Sequence, residues 1–104
     1  MAGGVFVSEE SYWGVNSWVF SWAVETLAER VASVPLAEQL REIEEHHLGS
    51  FALAQFPPEQ RSELVAQIRL LPQVAEDTLD ESEGRPHVIA WLQELADMVT
   101  AAEA

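Results

Sequence analysis

Hydrophobic side chains recur at helical spacing along most of this chain, beginning with a long segment at residues 9–32. Ser8 precedes the segment as a predicted helix N-cap, and two glutamates follow it in the first turn, where the helix dipole favours anions. Gly14 weakens these first turns and favours a start nearer Asn16. On a helical wheel, apolar side chains cover most of the circumference, which is typical of a helix that is central in a bundle or shared with a partner.

Narrower apolar stripes, typical of amphipathic helices, follow in three further segments. These segments span residues 36–48, 58–71 and 87–102. Gly49 is the expected stop of the first. Pro72 is expected to end the second, with one or two further turns over residues 73–79.

The remaining apolar stretches are short. Residues 50–56 form an apolar connector with no clean period. Residues 5–7 could be a brief strand or an extended lead-in, and the lead-in is favoured because a lone strand has no partner. The pattern therefore predicts an all-α fold, a compact bundle of four main helices with short connectors and a brief extended N-terminal segment. A length of 104 residues predicts a single helical domain over residues 1–104.

Composition excludes several kinds of chemistry. The chain has no cysteine, which rules out disulfides and thiol chemistry, and no lysine, which rules out Schiff-base and P-loop chemistry. With 18 acidic residues against 5 arginines, the formal net charge is -13, so binding to nucleic acid or to anionic membranes is disfavoured. The sequence has neither a transmembrane stretch nor the basic start of a signal peptide, and we expect a cytoplasmic protein.

The histidines provide weak evidence for a metal site. Glu42 and His46 are four residues apart on one helix and could supply two ligands, with His87 as a third from another element. His47 lies on the apolar face of the second helix, either as a satisfied buried histidine or as a pH-sensitive packing contact. Because no catalytic motif accompanies these residues, we expect a protein without catalytic residues, metal or cofactor.

Aromatic residues are concentrated near the first helix. Trp18 and Trp22 are four residues apart and share one ridge, which borders Glu25 and Glu29. This ridge is either part of the core, because tryptophan fills volume well, or an exposed binding surface, because tryptophan is enriched in binding hot spots. Trp13 and Phe20 project to the opposite edge and are predicted to be core, as are Trp91 and its apolar neighbours on the last helix.

Acidic residues form two further groups. The second helix carries Glu38, Glu42, Glu44 and Glu45, and a second run extends over residues 76–83. Each group is either a solvated surface or a recognition surface for a cationic partner. A net charge of -13 exceeds what solubility requires, and fields of opposite sign accelerate association.

Together these features predict a non-enzymatic acidic binding protein that neutralises a basic protein partner, such as an immunity-type or antitoxin-type inhibitor of a nuclease-like toxin. One alternative is a homodimeric helical interaction or regulatory module that uses the Trp-rich first helix. Another is a phage-type inhibitor that mimics nucleic acid. The predicted partner-binding residues are Trp18, Trp22, Glu25, Glu29, Glu38, Glu42 and Glu45.

Overall fold

A small β-sheet packs against a mostly helical body in the computed structural model, which describes residues 2–46 and 48–103, with only the backbone of Ala2 and Glu103. The described residues form three strands, four α-helices and one short 3-10 turn. In chain order these are β1 (Ala2–Phe6), β2 (Tyr12–Asn16), α1 (Ser17–Arg30), α2 (Val34–Glu45), β3 (Ser50–Ala52), the 3-10 turn (Leu53–Gln55), α3 (Pro58–Thr78) and α4 (Arg85–Glu103). The four helices agree with the predicted bundle, and the sheet shows that all-α describes the fold only roughly.

The N-terminal segment is a central strand and not an extended lead-in. β1 pairs antiparallel with β2 and parallel with β3, so that the strand order is β2-β1-β3. Val5 lies opposite both Trp13 and Phe51, and these three side chains face the helices. The prediction failed because both partner strands were hidden, one inside the expected first helix and one inside the apolar connector.

Helix α1 begins eight residues later than the predicted start at residue 9. Ser8 lies in the turn between β1 and β2, where its hydroxyl accepts from the Glu10 N–H at 3.4 Å. Serine followed by acidic residues suits such a turn as well as it suits a helix N-cap. The N-cap is Asn16, whose side-chain oxygen accepts from the Val19 N–H at 2.9 Å.

Moving the boundary changes the character of α1. The aromatic and β-branched residues between positions 12 and 15 belong to β2, where exposed and buried positions alternate. Without them α1 is an amphipathic helix with an ordinary buried face. The sequence suggested a helix with apolar side chains on nearly all sides because the residues of β2 were counted together with those of α1.

The other helices lie close to their predicted positions. α2 starts behind Ser33 and ends at Glu45, three residues short of the prediction, and Gly49 adopts a positive φ of 74° just before β3. α3 does not end at Pro72 but continues to Thr78. Leu71 and Ala75 are fully buried on either side of the proline, so tertiary packing holds the helix through a position that propensity alone would break.

The core lies between the inner face of the sheet and the buried faces of the helices. Its largest fully buried side chains include Trp13, Phe56, Leu36, Leu40, Ile68 and Leu92. Trp13 is 1% exposed and Phe20 is 3% exposed, as predicted for both. The interpretation of His47 as a buried histidine falls outside the described residues.

Candidate interaction surfaces

The exposed edge of α1 carries two of the aromatic and two of the acidic residues that the sequence singled out. We call Trp18, Trp22, Glu25 and Glu29 the α1 ridge, since their spacing places all four on one face of the helix. Trp18 is 57% exposed, Trp22 is half-buried against the core, and both glutamates are exposed. The ridge therefore presents one large apolar side chain to solvent beside two carboxylates.

The buried face of α1 fixes the direction of this ridge. Val19 and Phe20 are 0% and 3% exposed, and they anchor the first turn of the helix in the core. The Asn16 cap holds the same turn from outside. Trp18 lies between the Asn16 cap and buried Val19 in the sequence. Because successive residues point in different directions around the helix axis, its side chain points away from the core.

A shallow groove separates α1 from α2. This α1–α2 groove has a volume of about 320 Å³ and is lined by Val24, Glu25, Ala28, Leu40, Arg41, Glu44 and Glu45. Three carboxylates thus share the groove with one guanidinium. Its apolar floor and acidic rim suit a cationic partner better than an anionic one.

The predicted acidic residues only partly meet at this groove. Glu25 from α1 and Glu45 from α2 both line it. Glu38 and Glu42 are exposed and share an outward face of α2 with Glu45, at the spacing of successive helical turns. The structure therefore places the predicted residues on two adjacent acidic surfaces, which meet along the groove.

A larger cleft lies where the first turns of α1 and α4 approach the C-terminal end of α3. We call it the Trp cleft; its volume is about 620 Å³. Its lining consists of Asn16, Trp18, Val19, Leu79, Asp80, Ser82, Gly84, Arg85, His87, Val88 and Trp91. A mainly apolar cleft of this size, with a few polar groups at its edge, has the character of a ligand or side-chain binding site.

Trp91 was predicted to be core, but it is 38% exposed and lines this cleft. Val88, Leu92 and Leu95 mark the centre of the buried face of α4, and Trp91 lies at the margin of that stripe. A helical wheel of α4 alone could have shown this marginal position. It could not have shown that Trp18, from a distant part of the chain, lines the same cleft.

The positive charge at the Trp cleft is already engaged. The Arg85 guanidinium donates to the carbonyl oxygens of Glu76 and Leu79, at 3.4 Å in each case, and lies 3.8 Å from the Glu81 carboxylate. It thereby satisfies carbonyls at the C-terminal end of α3, which is where helices favour cations. Asp80 also lines the cleft, and this residue belongs to the second acidic run noted in the sequence.

The outer face of the sheet is a further exposed apolar surface. Phe6 and Tyr12 are 46% and 47% exposed, and their ring centroids are 4.6 Å apart. The Tyr12 ring lies across Gly4 and Gly14, which face each other on β1 and β2. Sequence reasoning missed this face because it assigned Tyr12 to a helix.

The structure also bears on the metal site and on membrane insertion. Within residues 2–46 and 48–103, no group of three or more His, Asp or Glu side chains is arranged to hold a metal ion. His46 caps α2, and the His87 ring lies 6.3 Å from the Trp91 ring. Among the described helices, none has the length and apolar character needed to cross a membrane.

Comparison with known proteins adds no further assignment. No family model, curated protein or solved structure matches the chain.

Proposed function

We propose that this chain is a non-enzymatic binding protein that neutralises a basic protein partner, in the manner of an immunity or antitoxin protein against a nuclease-like toxin. The observation that carries the proposal is the exposure of Trp18, at 57%, on a ridge it shares with Glu25 and Glu29. An apolar anchor beside carboxylates is the arrangement of a binding hot spot with an electrostatic rim.

Charge supplies the second support. Acidic residues outnumber basic residues by 18 to 5, so the protein carries a large excess of negative charge. Glu25, Glu44 and Glu45 line one groove with Arg41 as its cation. A nuclease must present a positive cleft to bind phosphate, and an acidic surface is the natural complement of such a cleft.

A second candidate is the homodimeric module, and the same exposed Trp18 favours it. Here Trp18 would pack against a second copy of the chain, so that α1 forms a self-complementary contact. The two candidates differ in their response to salt. Apolar self-association resists added salt, whereas attraction between opposite charges weakens with it.

The test compares two variants of equal charge on immobilised protein exposed to a lysate of the source cells. In the first, Glu25, Glu29, Glu38, Glu42 and Glu45 are changed to Gln. In the second, the matched control, Glu9, Glu10, Glu59 and Glu94 are changed to Gln and Asp97 is changed to Asn; all five are exposed and lie elsewhere. We expect the unaltered chain to capture a basic protein and to inhibit its nuclease activity.

We further expect the first variant to associate at least about tenfold more slowly than the control, because it loses the local field and not only the total charge. Equal association of the two variants would contradict the assignment of the partner site. Capture of proteins that are not basic, or a captured protein whose activity the chain leaves unchanged, would contradict the proposed function.

A further inference from the structure

We propose that the Trp cleft receives an arginine side chain of the basic partner, with the guanidinium stacked on the indoles of Trp18 and Trp91 and its charge directed towards Asp80. The inference rests on the proposed function, which it extends from the α1 ridge to residues on α4 and on the loop before it. It adds Trp91 and Asp80 to the residues that contact the partner.

The two aromatic side chains that line the cleft come from different helices. Trp18 is in the first turn of α1 and Trp91 is in the second turn of α4, with exposed fractions of 57% and 38%. Aromatic faces that remain exposed beside one cleft attract cations, and they attract guanidinium most often, through the ring quadrupole and by stacking. The apolar lining between them suits the methylene stem of the same side chain.

Charge favours a cation over an anion at this place. Asp80 lines the cleft, and Glu81 and Glu83 follow it in the same loop. Arg85, the cation in the lining, is held by the Glu81 carboxylate and by two carbonyls at the end of α3. The local field therefore remains acidic, and an incoming guanidinium meets the Asp80 carboxylate in the same cleft as the aromatic rings.

The volume of the Trp cleft suits a peptide segment of the partner better than a single ion. At about 620 Å³, the cleft is larger than one arginine side chain requires. An extended stretch with apolar residues on both sides of the arginine would bury more of the apolar lining. The ligand class is thus an apolar-flanked arginine segment of a basic protein.

The probe is the peptide acetyl-Leu-Arg-Leu-amide, and its control is the peptide in which citrulline, a neutral isostere, replaces arginine. Binding is followed through the indole N–H signals of the 15N-labelled full chain, assigned with Trp18→Phe and Trp91→Phe variants. We expect the arginine peptide to shift the Trp18 and Trp91 signals, and the citrulline peptide to bind about twofold to fivefold more weakly.

Two charge variants locate the carboxylate. Asp80→Asn and Glu83→Gln remove the same charge from the same loop, but only Asp80 is among the lining residues of the Trp cleft. We expect Asp80→Asn to weaken the arginine peptide about twofold to fivefold more than Glu83→Gln does. The indole signal of buried Trp13 confirms in each variant that the fold is intact.

Unmoved Trp18 and Trp91 signals, equal binding of the citrulline peptide, or equal effects of the two charge variants would each overturn the inference. The peptide experiment does not involve the partner, so its result is separable from that of the proposed function. A chain that inhibits a basic nuclease but ignores the peptide would overturn the cleft assignment alone. A chain that binds the peptide as described but captures no basic partner would overturn the proposed function.

Discussion

The indole nitrogen of Trp13 donates a hydrogen bond of 2.8 Å to the backbone carbonyl of Trp91. This bond joins β2 to α4 across 78 positions of sequence, and the donor side chain is 1% exposed. One tryptophan thus holds the backbone of the helical turn from which the other tryptophan reaches the Trp cleft. The core and the candidate binding surface meet at this pair.

Replacement of Trp13 by Phe is expected to lower the free energy of unfolding by about 1–3 kcal/mol, because it removes the indole donor and leaves a cavity. Chemical denaturation followed by circular dichroism measures the change. Trp18→Phe is the control, and because Trp18 is exposed we expect a change within about 0.5 kcal/mol. Equal losses in the two variants would contradict the structural role given to Trp13.

Glu63 differs from the acidic residues of the candidate surfaces because its carboxylate accepts backbone hydrogen bonds within the fold. Its two carboxylate oxygens accept from the backbone N–H groups of Ala32, at 2.8 Å, and Ser33, at 3.3 Å. The residue thereby fastens α3 to the turn between α1 and α2. We expect Glu63→Ala to cost about 1–3 kcal/mol of stability, because two backbone donors lose a charged acceptor.

Glu94→Ala, on the exposed side of α4, is the control for this change and should stay within about 0.5 kcal/mol of the unaltered chain. Glu63→Gln keeps one oxygen acceptor and should fall between the two. Thermal unfolding gives the ranking. If Glu63→Ala unfolds at the same temperature as Glu94→Ala, the carboxylate does not hold the turn.

Position 4 requires glycine because neighbouring atoms approach its Cα closely. A Cβ atom there would collide with the backbone carbonyl of Trp13 and with the Tyr12 side chain, and the carbonyl cannot move without breaking the pairing of β1 and β2. We expect Gly4→Ala to destabilise the protein by at least about 2 kcal/mol. At Gly84 the nearest atom to such a Cβ is the Ser82 hydroxyl at 4.0 Å.

Gly84→Ala is the comparison variant; because Gly84 precedes α4 at the N-cap position, where Gly is preferred to Ala, we expect a loss of at most about 1 kcal/mol. The comparison uses the midpoint of denaturant unfolding for both variants. A Gly4→Ala protein as stable as the Gly84→Ala protein would mean that the sheet is not packed as described.

Pro72 lies inside α3 and has no N–H to give to the carbonyl one turn earlier, at Ile68. Since α3 continues past it, we expect Pro72→Ala to restore this bond and raise stability by about 1–2 kcal/mol, after allowance for the more flexible unfolded chain. The measurement is again the free energy of unfolding. A loss of stability would show instead that α3 needs the proline's local geometry to pack on α4.

Oligomeric state separates the two functional candidates. The proposed function predicts a monomer by light scattering at low and at high salt, since -13 charges repel a second copy and the partner is foreign. A dimer that persists in high salt and dissociates in Trp18→Ala would support the homodimeric module instead. Phe6→Ser tests whether any such dimer uses the outer face of the sheet.

The helices were predictable because each later segment carries a clear apolar stripe over at least three turns. The strands were not, because a segment as short as Ser50–Ala52 fits a helical frame and an extended frame equally well. Trp13 and Val15 are the buried positions of β2, with exposed residues on either side, as in a strand. The apolar residues of α1 follow them directly, so the helical pattern of α1 could be continued through β2 in the sequence. Their strand identity depends on β1, which comes from elsewhere in the chain.

The α1 ridge was predictable despite the misplaced helix start, because the relative direction of Trp18 and Glu25 depends on their spacing and not on where the helix begins. The Trp cleft was not predictable. Its two tryptophans come from the first turn of α1 and the second turn of α4, and only the packing of those helices places them at one cavity. Whether either surface binds a partner remains a prediction.

The position of β1 in the middle of the sheet affects the order in which the strands pair during folding. Its pairing with β2 closes a short hairpin and can form locally, whereas its parallel pairing with β3 encloses both α1 and α2. We therefore expect the β1–β3 pairing to form after the β1–β2 hairpin and to open before it. In a hydrogen-exchange experiment we expect the amides that bond β1 to β3 to exchange before those of the β1–β2 hairpin. The exchange rates would then follow the reverse of the order in which the two strand pairs form.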